Sequence, residues 1–149
     1  MSWRKFEFAE PELALFGIAR LTQRIAYLAT IRANGSPRVH PVSPFIGHGS
    51  LFIYMEPTSP KGNDLLRDAR YAMHCAVEDA TGGGGEFCVR GRAKLIGDPE
   101  LRSKAFDAAR AIGYKPDDRY VLFELDVEEA LATTYEDELS VRRRWKSGS

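Results

Sequence analysis

Asn34-Gly35 lies between two extended runs, residues 25–31 and 36–43, and it constrains the fold of this 149-residue chain more than any other feature. Both residues tolerate a positive φ, so the dipeptide reverses the chain in a hairpin and makes the two runs pair antiparallel. The first run, Ile-Ala-Tyr-Leu-Ala-Thr-Ile, is apolar on both faces, as in a strand packed on two sides. The second places Pro37 and Pro41 on the face of Val39, with Arg38, His40 and Val42 on the other. Two missing backbone donors put this strand at an edge or a bulge, and its polar face is left available to a ligand. A third strand over residues 50–56 follows the turn at His48-Gly49 and stops at Pro57.

The hydrophobic period then changes. Ser59-Pro60 opens a short helix running to about Arg67, with Ser at the cap, Pro at the first helical position and Lys61 just inside. Free first-turn amides, the positive end of the helix dipole, hydroxyls and an ammonium converge there, which suits a phosphate. An ordinary capped helix with a solvated lysine is the alternative reading of the same residues. Residues 71–78 form a fourth strand, and Thr81 with Gly82 to Gly85 a flexible connection that lacks the Lys-Ser/Thr ending and following helix of a phosphate loop. A long fifth strand spans residues 86–96, with a bulge or bend at Gly91. Asp98-Pro99-Glu100 starts a helix whose apolar stripe ends at Gly113, and an amphipathic helix covers residues 10–20. Residues 120–125, 130–135 and 139–145 supply the last strands, and residues 146–149 read as a disordered tail. Without regular strand-helix alternation, the pattern predicts a mainly β (α+β) single domain over 1–149: a small antiparallel barrel of six to eight strands with three peripheral helices.

Lys plus Arg equals Asp plus Glu at 21 each, so no net field draws nucleic acid or an acidic membrane. The N-terminus reads as no signal peptide and no segment reads as a bilayer span, which predicts a cytoplasmic protein. Cys75 and Cys88 fall in apolar strands and read as buried small hydrophobes. His40, His48 and His74 show no metal-ligand spacing, so no metal site is predicted.

Four stretches together resemble the pyridoxamine 5'-phosphate oxidase-like family of split-barrel flavoproteins. They are Leu28-Ala29-Thr30 before the Asn-Gly-Ser-Pro-Arg-Val hairpin, Phe52-Ile53-Tyr54 before Ser59-Pro60-Lys61-Gly62, Val89 to Ala93 running into Asp98-Pro99-Glu100, and Thr133-Thr134-Tyr135-Glu136 with Arg143-Arg144-Trp145. The resemblance implies a split β-barrel homodimer binding two flavin mononucleotides (FMN) in interface grooves and acting on a small redox substrate. It assigns Ser59 and Lys61 to the flavin phosphate and Tyr54 to a place beside the cofactor. Arg38, His40 and Val42, on the outward face of their strand, would line the groove, and Arg144 and Trp145 would reach the partner's flavin.

Pro60 stands where family members that oxidise pyridoxamine phosphate usually have Arg, and Glu86 where they have Gln. Glu86 near a flavin would be unfavourable unless paired with Arg90 or Arg92. The arginine-leucine-alanine-proline ending is also missing, and these departures point away from vitamin B6 as the substrate. Other readings of the groove are a deazaflavin, which extra basic residues such as Arg67 and Arg70 would favour, and a flavin- or haem-binding carrier or sensor without turnover. Arg67 and Arg70 also suit plain pairing with Asp64 and Asp68.

Overall fold

A computed structural model describes residues 2–148, in which nine strands form one curled antiparallel sheet. In chain order the elements are α1 (Trp3–Ala9), α2 (Pro11–Leu21), β1 (Ala26–Ile31), β2 (Pro37–Val42), β3 (Phe45–Gly47), β4 (Ser50–Met55), α3 (Pro60–Arg67), β5 (Arg70–Cys75), β6 (Glu86–Leu95), α4 (Pro99–Ala111), β7 (Val121–Leu125), β8 (Glu129–Glu136) and β9 (Leu139–Lys146). The strands run β2-β1-β5-β6-β7-β4-β3, and β8 pairs with β6 and β9. The predicted fold class stands, as an antiparallel half-barrel with one strand more than expected.

The hairpin at Asn34-Gly35 forms, and only Gly35 takes a positive φ, at 84°. Asn34 instead uses its side-chain oxygen to accept bonds from the Ser36 amide and hydroxyl. β2 is the edge strand that its two prolines demand. The length of β6 has a physical reason: residues 86–90 pair with β8 and residues 93–95 with β7 along the same edge, so one strand serves two halves of the sheet. Gly91 sits at the changeover. A Cβ there would lie 1.9 Å from the Asp126 carbonyl oxygen, so glycine is required by a crossing backbone.

Two cores result. The larger lies inside the half-barrel and takes in Leu28, Ile53, Met73, Phe87 and Phe123; the smaller packs Phe45, Phe52 and Leu122 against Ala105 and Ala109 of α4. α1 is an element the sequence reading did not assign, and α1 and α2 cover the sheet with one face each turned into the main core. Trp3, Phe6, Leu13 and Leu21 are buried in the main core, with Trp3 and Phe6 edge-to-face at 5.0 Å. Lys146 belongs to β9, so the expected disordered tail does not begin there; Ser149 lies outside the described residues. The 79–85 connection is tied by its own chemistry, since Asp79 accepts from the Thr81 amide and hydroxyl and the Gly83 amide. Among the described residues no helix is long and apolar enough to cross a membrane.

Candidate cofactor site

α3 starts where the sequence places it, with Ser59 at the cap and Pro60 at the first helical position. Gly62 lets the helix lie close on β4, because a Cβ there would come within 2.9 Å of the Met55 sulfur, and Leu65 enters the main core. The Ser59 hydroxyl does not cap the helix, contrary to expectation. It is buried and accepts from Lys61 Nζ at 2.9 Å, and among the described residues no side chain caps the first-turn amides. Lys61 has no carboxylate partner among the described residues, and burial draws its pKa below the ordinary lysine value.

The focus of the corner is Asp64, which the sequence reading treated only as a partner for Arg67. Its side chain is nearly sealed, the residue being 2% exposed, and both oxygens are used. Thr30 Oγ1 and Arg38 Nε each donate to Oδ2 at 2.7 Å, and an Arg67 terminal nitrogen donates to Oδ1 at 2.8 Å. Burial pushes the carboxyl up, but the bonds from Arg38 and Thr30 and the charges of Arg38 and Arg67 outweigh it and hold Asp64 below the usual carboxylate range. Arg38 and Arg67 are thereby oriented without being neutralised in full: with Arg32 they line a cavity of about 350 Å³ that also touches Pro60 and Asn63. Three guanidinium groups face one carboxylate, so the cavity carries surplus positive charge. Arg70 pairs with Asp68, as the plain alternative to a deazaflavin role required.

Of the expected site residues only Arg38 lines this cavity; Ser59 and Lys61 flank Pro60 in sequence without lining it, and the others lie elsewhere. The pairing of β1 with β2 sets Arg38 opposite Thr30, His40 opposite Leu28 and Val42 opposite Ala26, so this face of β2 points the same way as the buried face of β1. It is not the outward face that was expected; Val42 is buried in the main core, and the outward residues are Pro37, Val39 and Pro41. His40 stays exposed because β2 is an edge, and its Nδ1 lies 2.8 Å from the Pro41 carbonyl oxygen. Tyr54 points away from the β4 face that carries Met55, towards α4. It stacks on Phe45 (5.4 Å, 11°) and meets Tyr114 edge-on; burial raises its pKa while Arg102 opposes. Arg144 and Trp145 are neighbours on β9 and so face opposite ways. Arg144 bonds Glu129 at 2.9 Å on the outer side, whereas Trp145 packs on Phe6 at 5.2 Å inside.

Glu86 has neither of the partners foreseen for it. Arg90 lies nearest Glu129 and Arg92 nearest Glu128, both at 3.7 Å. Glu86 instead accepts from Tyr135 Oη at 2.6 Å and stands 3.2 Å from His74 Nε2. The sequence pointed to no link between Glu86 and His74 or Tyr135, which lie 12 and 49 residues away from it.

The family model described as pyridoxamine 5'-phosphate oxidase matches residues 18–134. No curated protein matches the chain. Among solved structures, the chain resembles ChuZ from Campylobacter jejuni with a TM-score of 0.73 at 13% identity, covering 96% of this chain and 61% of that one. A nimc/nima family protein from Clostridium acetobutylicum gives 0.66 at 17% identity over 95% and 96% of the two chains. A heme binding protein from Mycobacterium smegmatis gives 0.64 at 19% identity, covering 86% of this chain and 55% of that one, so this chain spans little more than half its length. At such identities the likeness concerns the fold. The matched family segment runs from within α2 through most of β8, well over half of the chain, and the protein belongs to the pyridoxamine 5'-phosphate oxidase-like family.

Proposed function

We propose that the protein is an FMN-dependent oxidoreductase acting as a homodimer, with the flavin phosphate held at the start of α3. The observation that carries this reading is the unneutralised donor set there. Among the described residues Lys61 and Ser59 contact each other and no acid, and no side chain caps the first helical amides, while Asp64 fixes Arg38 and Arg67 at an adjoining cavity with surplus positive charge. A phosphate dianion suits that set better than a neutral ligand does. When bound, the flavin supplies the electron chemistry and the chain supplies orientation and electrostatics. In this reading Lys61, Ser59 and the two arginines bind the phosphate, while Thr30 and Asp64 keep the arginines in place.

The homodimer is supported by the outer face of β2 and β1. Pro37, Val39, Pro41 and Tyr27 form an apolar strip there, with Val39 65% exposed, and such a strip is suited to covering by a second copy. Val39→Glu is expected to shift the protein from dimer to monomer in light scattering.

The purified protein is expected to show flavin absorption that bleaches with a nicotinamide donor. Lys61→Ala should weaken FMN binding about tenfold or more and riboflavin binding little, because the lost contacts go to the phosphate. Equal losses for both ligands would place Lys61 elsewhere.

A haem carrier is the second reading, and His40 favours it. With Nδ1 donating to the Pro41 carbonyl, the other ring nitrogen of this exposed residue is left as a ligand atom, and two of the similar folds are a heme binding protein from Mycobacterium smegmatis and the heme storage protein HutZ from Vibrio cholerae. A Soret band lost in His40→Ala would select it over the flavin.

A further inference from the structure

We propose that Cys75 is a site of reversible oxidation by hydrogen peroxide, and that the buried guanidinium of Arg20 holds the sulfenate it becomes. The inference is independent of the flavin reading, because the thiol is turned into the main core beneath the 79–85 connection and the step needs no bound cofactor.

In sequence Cys75 is a small apolar residue of a strand, and it is the fold that surrounds it with donors. Its Sγ accepts from the Phe87 amide at 3.2 Å, across from β5 to β6. Arg20, in the last turn of α2, is 5% exposed. One terminal nitrogen donates to Glu78 Oε1 at 3.2 Å and the other to the Ala76 carbonyl oxygen at 2.6 Å, which brings the guanidinium alongside Cys75. Its Nε is buried with no hydrogen-bond partner among the described residues. A buried cation needs an anion, and Glu78 is half exposed and also stands 3.7 Å from Arg24. An oxygen added to Cys75 supplies both the missing acceptor and the missing charge.

The same donors favour the reactive form of the thiol. Burial pushes Cys75 up, but the adjacent His74, the Phe87 amide and the Arg20 guanidinium outweigh it and hold the thiol below its ordinary pKa. The Cys75 side chain in turn is the first cause of the raised pKa of His74. Cys88 is the internal comparison: it is only half-buried, yet burial, against the charge of Arg90, raises its thiol pKa and keeps it neutral. Exposure favours reaction at Cys88, whereas thiolate character favours Cys75.

The thiolate sulfur attacks one oxygen of the peroxide, and the S–O bond forms as the O–O bond breaks. Sulfur gives up two electrons and the peroxide takes them; the departing hydroxide removes the proton of the new sulfenic acid, which leaves a sulfenate and one water. The sulfenate has no thiol of its own chain to condense with. Cys88 is the only other cysteine, and its pairing with His74 puts it on the other face of the sheet from Cys75. Reduction by a small thiol restores Cys75. What covers the site is a connection with four glycines, in which Gly84 lies so close to Arg20 that a Cβ would come within 2.4 Å of a terminal nitrogen. Local opening of such a connection admits a molecule as small as hydrogen peroxide.

The test gives the full-length protein a short pulse of hydrogen peroxide, removes the peroxide with catalase, unfolds the chain in the presence of dimedone and maps the adduct by mass spectrometry. The adduct is expected on Cys75 about tenfold or more over Cys88, and on both alike when the chain is unfolded before the pulse. The oxidation rate of Cys75 is expected to level off at a lower pH than that of an ordinary thiol. Arg20→Met is expected to slow the reaction at Cys75 about tenfold and to leave Cys88 unchanged. Because Arg20 is buried, the wild-type mapping and pH profile decide the matter if that variant does not fold. Equal labelling of the two cysteines, preference for Cys88, no adduct on either, the pH profile of an ordinary thiol, or an unchanged rate in folded Arg20→Met would overturn the proposal. Lys61→Ala is expected to leave the labelling unaltered, so loss of FMN binding and failure of the thiol site are separate results.

Discussion

Asp64 and Glu86 are both acids held among cations, and they differ in what surrounds them. Asp64 is buried, with both oxygens used by three donors from β1, β2 and α3, two of them permanent guanidinium cations. Glu86 is a third exposed, and its partners are a phenol and an imidazole, both able to lose their protons. The first arrangement joins elements that are far apart in sequence and holds two arginines at a cavity. The second contributes little to stability but holds a charge that pH can change. Burial makes an ion pair a structural pin, and exposure with a titratable partner leaves it open to ligands and solvent.

The largest expected effect comes from removing the pin. Asp64→Ala leaves Arg38, Arg67 and Thr30 without their acceptor and should cost about 1–3 kcal/mol in urea denaturation, together with a loss of FMN affinity. Glu86→Gln should cost under about 1 kcal/mol, because solvent screens its pair. Similar costs for the two would erase the contrast.

Next is the pH dependence, which has opposite sign at the two places. The Asp64 carboxyl is held below its ordinary 3.8, so its contribution is present above that value and is lost as pH falls through the lower folded-state pKa. His74 is raised from 6.5 to about 9, so its contribution is complete below 6.5 and disappears as pH rises through about 9. Melting temperatures of Asp64→Asn and His74→Gln, each compared with wild type across pH, should converge at the acid end for the first and at the alkaline end for the second.

The smallest effect sharpens the description of the outer cluster. Glu86→Gln removes the negative partner of His74, so the imidazole titration followed by NMR should move down from about 9 towards the ordinary histidine value. An unmoved midpoint would leave Cys75 as the sole cause.

Features that depend on a few adjacent residues were legible in the chain. Asn34-Gly35 turned it, Pro57 ended β4, Ser59-Pro60 started α3, and Asp98 capped α4 by accepting from the Leu101 amide. α1 also left a local signal, Trp3 and Phe6 at helical spacing, which the charged residues between them concealed. Alternation sorted the residues of β2 correctly into two sets without saying which set faces inward. That was decided by pairing with β1, which set Arg38 beside Thr30 and turned Val42 into the core.

By itself, then, the sequence determined the antiparallel sheet, its main turns, the starts of α2, α3 and α4, and the family, because backbone chemistry and hydrophobic period act over a few residues. Tertiary structure alone decided which faces are inner, that Arg144 and Trp145 part company, and that Thr30, Arg38, Asp64 and Arg67 meet while His74, Glu86 and Tyr135 meet elsewhere. Such meetings depend on strand register across long separations, where a shift of one residue turns a side chain to the other face of the sheet.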